Sequence, residues 1–299
     1  MKVLSLFDGI SCGMVALERA GIPVERYVSY EIEPNAIKIS KKNYPNIEQC
    51  GDVTTADFTQ YKGFDLLIGG SPCTNWSCSK NHKAKVKKEM STNQGEGWEL
   101  FMQYVRAIRE VKPKYFLYEN NFRNPKSITD AITAELGVDP IMINSAKVSA
   151  QRRKRLYWTN IPNIQQPDDK GITLQDVFIP DESLIRHDER ILKNAVTTNN
   201  YVKYDLSGKG HYSEPYRLYY LDGKSPTLPK SRTETKCNIL LDKNDFATYK
   251  IISPVEAERL QTLPDNYTEG VTKTKRFEAI GNGWTVDVIA HIFKELKDE

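Results

Sequence analysis

The 299-residue sequence has no apolar run near the roughly 18 residues that a membrane helix requires, no C-x-x-C pair and no G-x-G-x-x-G. The missing span excludes a membrane-embedded reading. Cysteine is scarce: five residues, an odd number, lie at 12, 50, 73, 78 and 237, and the four histidines do not group with them. That pattern excludes a disulfide scaffold and a zinc module, and places the thiols in a reducing compartment. Strong charge of one sign is also missing, since 42 Lys and Arg against 39 Asp and Glu leave +3. Polyanion binding therefore has to come from local clustering rather than net charge. The stretch Met1 to Phe7 meets Asp8 too early for a secretory signal, so a cytoplasmic location is expected. Without the glycine fingerprint, a nicotinamide-dependent dehydrogenase is disfavoured.

What is present is alternation of short apolar runs with amphipathic stretches. Val3 to Phe7, Tyr27 to Glu31, Asp65 to Ile68 and Tyr115 to Tyr118 read as strands. Helical stretches lie between them: one through Met14 to Leu17 stopped by Gly21, one opened by Pro34, one over Trp98 to Val111, and one over Ser127 to Leu136 with Ser127 as cap and Gly137 as stop. This order predicts an α/β protein with a doubly wound, mostly parallel sheet whose ligands bind at the carboxyl ends of the strands. From about Ile161 to Leu241 the periodicity weakens into polar, tyrosine-rich, turn-forming segments, which reads as a smaller irregular second domain. Helices return at Ser253-Pro254-Val255-Glu256, a capping box, then near Thr274 to Ala279 and Thr285 to Leu296.

The strand ends carry the chemistry. Phe7-Asp8-Gly9 closes the first strand, where glycine lets a ligand approach main chain. About 20 residues on, Glu31 is placed to accept ribose hydroxyls, and Asp52 to accept an adenine amino group. Such a cradle holds a nucleoside without special provision for a pyrophosphate. The next strand end, Gly69-Gly70-Ser71-Pro72-Cys73, presents a thiol at the rim, and Glu119-Asn120-Asn121 delivers a carboxylate to the same rim. A thiol needs electropositive help to act as a nucleophile; in Gln151-Arg152-Arg153-Lys154-Arg155, strand alternation sends Arg153 and Arg155 the same way. The lysine-rich segment 74–97, containing Trp76 and His82, fits a lid over a phosphate backbone.

The ordered set comprises Phe7 to Gly9, Glu31, Gly51 to Val53, Ser71 to Cys73, Glu119 to Asn121, Gln151 to Arg155, Arg259 to Tyr267 and Gly281 to Val286. In this order and spacing the chain resembles the S-adenosylmethionine-dependent DNA cytosine-5 methyltransferases. Its F-D-G start, the Ser before Pro-Cys and the Trp of the last motif are similar to the animal de novo branch. It departs from the common pattern at Asn121, Thr74 and Ser11-Cys12, none of which removes a reacting group.

The resemblance implies a Rossmann-like methyltransferase domain at 1–163 plus 249–299, interrupted by a target-recognition domain at 164–248. It implies S-adenosylmethionine as cofactor, S-adenosylhomocysteine as product and no metal. Phe7, Asp8, Gly9, Ile10, Glu31, Ile32, Asp52, Val53, Pro72, Asn282, Trp284 and Val286 would lie around the cofactor, and Cys73, Glu119, Arg153 and Arg155 would be catalytic. The expected substrate is duplex DNA with the target base flipped out, the expected enzyme a bacterial or phage-encoded monomer, with or without a companion restriction enzyme. In the middle segment, Arg186, His187, Arg190, Lys209, His211, Arg217, Lys230, Arg232 and Lys236 are the candidate DNA contacts. The tRNA-directed branch is disfavoured because its C-F-T tripeptide is absent, and an inactive DNA-binding regulator because Cys73 and Glu119 are both kept.

Overall fold

A computed structural model describes residues 1–72, 95–206, 216–230 and 237–296. Cys73, Thr74, Trp76, His82 and most of the expected lid therefore lie outside the described residues, as do Lys209, His211, Arg232 and Lys236. The chain divides into two compact units, one made of Met1–Ile143, Lys154–Gln166 and Ile289–Glu299, the other of Asn144–Arg153 and Pro167–Val288.

The first unit is built on strands β1 (Lys2–Leu6), β2 (Arg26–Tyr30), β3 (Glu48–Gln49), β4 (Leu66–Gly69), β5 (Tyr115–Asn121), β6 (Ile141–Asn144) and β7 (Lys154–Thr159), in the order β3-β2-β1-β4-β5-β7-β6. The five from β1 to β5 are parallel and β7 runs antiparallel to β5. Val3, Leu4, Leu66, Leu67 and Ile68 are buried, as befits strands covered on both faces. The order reverses between β1 and β4, which makes their carboxyl ends the switch point where an open α/β sheet takes its ligand.

Helices α1 (Cys12–Arg19), α2 (Pro34–Asn43), α3 (Glu96–Val111) and α4 (Lys126–Leu136) connect these strands. Glu33 caps α2 by accepting the Ala36 amide at 2.7 Å, with Pro34 in the first turn. Phe101, Tyr104, Val105 and Val111 form the buried face of α3. They pack in one core with Leu4, Leu67, Tyr118 and Trp158. The start of α4 differs from the sequence reading: Pro125, not Ser127, occupies the cap position, while Gly137 closes the helix at φ 70° as expected.

The second unit is more ordered than its weak periodicity suggests. It carries β8 (Ile185–His187), β9 (Val196–Thr197), β10 (Tyr201–Lys203), β11 (Arg217–Tyr220), β12 (Asn238–Asp242) and β13 (Asp245–Ile251) in a six-stranded sheet of order β8-β13-β12-β11-β10-β9. Its pairs are antiparallel except β11 with β12. Most of the strands are short, and their tyrosines range from buried (Tyr219) to half-buried (Tyr201, Tyr220, Tyr249), so alternation is blurred. Helices α5 (Leu174–Val177), α6 (Pro254–Leu260) and α7 (Lys273–Asn282) belong to this unit, and α8 (Val286–Phe293) follows. The expected capping box at Ser253 and Glu256 is present. No helix among the described residues is long and apolar enough to cross a membrane.

Candidate active site

The loop after β1 has an unusual backbone. Phe7, Gly9 and Ser11 all have φ near 60°. For a bulky residue such as Phe7 this region costs about 1–3 kcal/mol, and such strain gathers at ligand clamps. The conformation turns the Gly9 amide onto Oε2 of Glu31 at 2.8 Å, while Oε1 of Glu31 accepts the amides of Ile32 and Glu33, each at 2.8 Å. Three of about four acceptor positions on the carboxylate are thus filled, leaving one for a ligand hydroxyl. A Cβ built on Gly9 would meet nothing within 4 Å, so there is open space above this main chain.

Ile32 stands 68% exposed beside the carboxylate, an apolar platform suited to a flat base. Asp52 is exposed and holds the Thr54 amide with Oδ1 at 2.8 Å. Together these residues fit an adenine nucleoside: hydroxyl acceptor, apolar platform and polar edge on adjacent strand ends. Ile10 and Val53 are buried, so they offer a ligand main chain rather than side chain. Phe7 is half-buried against the core. Asp8 turns inward, its carboxylate accepting hydroxyls from Ser5, Ser11, Tyr27 and Ser29.

The segment leading to Cys73 is tied to β5. Ser71, buried, shares a 2.6 Å hydroxyl contact with Tyr118, and the Asn120 amide donates to the Tyr118 hydroxyl at 3.0 Å and to the Ser71 carbonyl at 3.4 Å. Burial pushes the Tyr118 hydroxyl well above the ordinary 10.0, so it stays protonated as a linker. Pro72 follows on the surface. Tyr118 and Asn120, which hold Ser71, are the strand neighbours of Glu119.

Glu119 meets Arg155 across the β5–β7 pair. Asn121 pairs with Arg155 and Glu119 with Tyr157, which places Glu119 and Arg155 on one face two positions apart. The guanidinium Nε lies 2.9 Å from Oε1, with side-chain exposures of 15% and 12%. A largely buried guanidinium beside a largely buried carboxylate supplies both a fixed cation and a hydrogen-bonding acid at the strand ends.

Arg153 is employed differently from the expectation that it would point with Arg155. It precedes β7, belongs to the second unit and is buried, with Nη1 donating to the Leu228 carbonyl at 3.1 Å and Nη2 to the carbonyls of Gly281 and Gly283 at 3.2 and 3.0 Å. Gln261 donates to the carbonyls of Ile280 and Gly283, and accepts from Gln151 and from Thr285 at 3.1 and 2.8 Å. The Q-R-R, R-L-Q-T-L-P and G-N-G-W-T-V motifs thus meet in one buried polar network. Gly281 is required there: a Cβ would come 2.2 Å from the Pro229 carbonyl oxygen. Around this network Asn282 is exposed, Trp284 half-buried and Val286 fully buried. Sequence reasoning missed Gln151, Gln261 and Asn120 as organisers. Their signal was motif membership without an evident reacting group.

Among the described residues, no group of three or more His, Cys, Asp or Glu side chains is placed to hold a metal ion.

The doubly wound sheet, the Gly9–Glu31 edge at its switch point and the Glu119–Arg155 pair on the next strand ends make up the candidate active site. The particular family follows from comparison: the profile of the C-5 cytosine-specific DNA methylases matches residues 1–298, and the chain belongs to that family. It is 32% identical over 173 residues to the orphan methyltransferase M.SPRI of Bacillus phage SPR, a match covering 54% of this chain but only 38% of the phage protein. It is 25% identical over 316 residues to the type II methyltransferase M.NlaX of Neisseria lactamica, covering 99% and 96% of the two chains. The fold matches that of the Entamoeba histolytica methyltransferase EhMeth with a TM-score of 0.71 at 17% identity, over 100% and 99% of the chains.

Proposed function

We propose that this chain transfers a methyl group from S-adenosylmethionine to carbon 5 of cytosine in duplex DNA. The observation that carries the reading is the Glu119–Arg155 pair, set at the same sheet edge as the nucleoside cradle and as the Ser71-Pro72 segment that leads to Cys73. Family membership and the type II and orphan methyltransferase relatives support it.

In this reading Cys73 is the nucleophile. Its thiolate forms a bond to C6 of a flipped cytosine, which turns C5 into an enamine carbon. Glu119 holds a proton at N3 and so relieves the charge that this addition creates. Arg155 holds Glu119 and the base O2. The bound cofactor supplies an electrophilic methyl group on its sulfonium. Loss of the C5 proton to a base then re-forms the C5–C6 double bond as the Cys73 thiolate leaves. Glu31, Ile32, Asp52 and the main chain at Phe7 to Ile10 and Val53 hold the nucleoside of the cofactor, with Pro72 beside them; for Asn282, Trp284 and Val286 a cofactor role rests on the family resemblance. Arg153 acts by bracing the main chain at Leu228, Gly281 and Gly283.

By function, methyl transfer is assigned to 1–163 with 249–299 and target recognition to 164–248, a division that differs from the two compact units chiefly at Asn144–Arg153 and at residues 249–288, which cluster with the second unit. The protein works as a monomer in the cytoplasm of a bacterium or a phage-infected cell. Transfer of radiolabelled methyl to duplex DNA, with transfer RNA as the competing substrate, tests the proposal. Label is expected in DNA at cytosine C5; label only in transfer RNA, or in neither, overturns it.

A further inference from the structure

The Asp8 carboxylate sits in a ring of side-chain hydrogen bonds that reaches back to Ser40 of α2 and Gln49 of β3, both outside the motifs named above. Oδ1 accepts from Ser5 at 2.5 Å and Tyr27 at 2.7 Å, and Oδ2 from Ser11 at 2.5 Å and Ser29 at 3.1 Å. From Ser11 the ring continues to the Ser40 hydroxyl at 2.6 Å. Gln49 then donates to Ser40 at 2.9 Å, and its amide oxygen lies 3.1 Å from the Ser29 hydroxyl, whose one proton serves either this oxygen or Oδ2 of Asp8. Ser5, Ser11, Ser29 and Ser40 are buried. Ser11 stands at the N-cap of α1, where a serine usually binds its own helix amides, yet it makes no capping bond. Its hydroxyl is committed to Asp8 and Ser40 instead.

We propose that Ser40 and Gln49 are positioning residues which, through this ring, hold Asp8 and with it the left-handed Phe7–Ser11 loop, so that the Gly9 amide is delivered to Glu31. The consequence is a cofactor cradle set from α2 and β3, one layer behind the residues that touch the ligand. A carboxylate with four hydroxyl partners is pinned on both oxygens, and the residue it belongs to lies between two backbone positions with φ near 60°. Loosening the far side of the ring frees Ser11 and Ser29 to rotate, and the strained loop relaxes. The inference rests on reading this edge as the cofactor cradle.

The test uses the full chain and S-adenosylhomocysteine as probe, with Ser40→Ala, Gln49→Met, Ser40→Thr and a control, Thr133→Val. The control removes the partner of the Trp158 indole, 2.9 Å away, and leaves the ring intact. Calorimetry is expected to give roughly five- to tenfold weaker binding for Ser40→Ala and Gln49→Met, with affinity restored in Ser40→Thr and unchanged in Thr133→Val. Amide exchange at Gly9, followed by NMR in the ligand-free protein, is expected to quicken in the same two variants and not in the control. Wild-type affinity together with wild-type Gly9 exchange in Ser40→Ala and Gln49→Met overturns the inference. A wild-type protein that binds no S-adenosylhomocysteine overturns instead the cofactor reading on which it rests, while Gly9 exchange still decides whether the ring holds the loop.

Discussion

Arg155 places its Nε 2.9 Å from Oε1 of Glu119, across two strands that run in opposite directions. β7 is antiparallel to its neighbour β5, and that reversal brings the start of one strand beside the end of the other. A residue late in β5 and a residue early in β7 can therefore share one spot on the rim.

The pair predicts a separation of chemistry from cofactor binding. Glu119→Gln keeps the shape and hydrogen-bonding capacity of the side chain but loses its proton-holding role, so kcat is expected to fall by about 10²- to 10⁴-fold. Affinity for S-adenosylhomocysteine, measured by calorimetry, is expected to stay within about twofold, since Glu119 lies outside the Gly9–Glu31 cradle. A matching loss of affinity would place Glu119 in cofactor binding instead.

Arg153 predicts the opposite pattern. Its guanidinium satisfies carbonyls at Leu228, Gly281 and Gly283 from a buried position. Arg153→Met leaves these acceptors without that donor and is expected to cost about 3 kcal/mol or more of stability in chemical denaturation. Arg153→Lys should rescue little, because a point ammonium cannot reproduce the planar fork. Unaltered stability in Arg153→Met would contradict the bracing role.

Ile32 is an exposed apolar side chain next to a half-buried acceptor, Glu31, and exposure makes its two roles separable. Ile32→Ser is expected to leave the melting behaviour unchanged to within about 0.5 kcal/mol. It should weaken S-adenosylhomocysteine binding by about 1 kcal/mol, roughly fivefold in Kd. Unchanged affinity would remove Ile32 from the cradle.

Stability on the alkaline side follows from buried neutral groups. Burial pushes the Cys237 thiol above its ordinary 9.0, and the Tyr104 and Tyr118 hydroxyls above 10.0. Each folded value exceeds the unfolded one. The contribution is therefore complete below the unfolded value and is lost as pH climbs toward the folded value, at about 1.4 kcal/mol per pH unit for each group. Unfolding free energy is expected to begin falling near pH 9 and to steepen past pH 10. Denaturation curves for Cys237→Ala should lack the first part of that decline; a wild-type decline in the variant would contradict the assignment.

The parallel sheet was legible because its strands are buried on both faces and read as continuous apolar runs, as in Leu66-Leu67-Ile68. Glu31 and Glu119 were legible because an acidic residue at the end of an apolar strand has little reason to be there except chemistry. The second sheet was not, since strands as short as Val196–Thr197 carry no alternation to read. Nor was the division of labour between Arg153 and Arg155. Both lie in one basic run, and only the tertiary position of the Gly281 and Gly283 carbonyls separates them. The Asp8 ring escaped notice for a similar reason: serine, tyrosine and glutamine side chains gathered from four elements leave no local pattern.

The central claim, a thiol at Cys73 working with Glu119 on an extruded cytosine, is tested most directly by trapping. Duplex DNA carrying 5-fluorocytosine at the target position is incubated with the protein and S-adenosylmethionine, then denatured and resolved by mass. A covalent protein–DNA adduct is predicted for the wild type, because fluorine cannot leave C5 as a proton does, and no adduct for Cys73→Ser. An adduct that persists in Cys73→Ser, or a wild type that methylates unmodified duplex yet is never trapped, would contradict it.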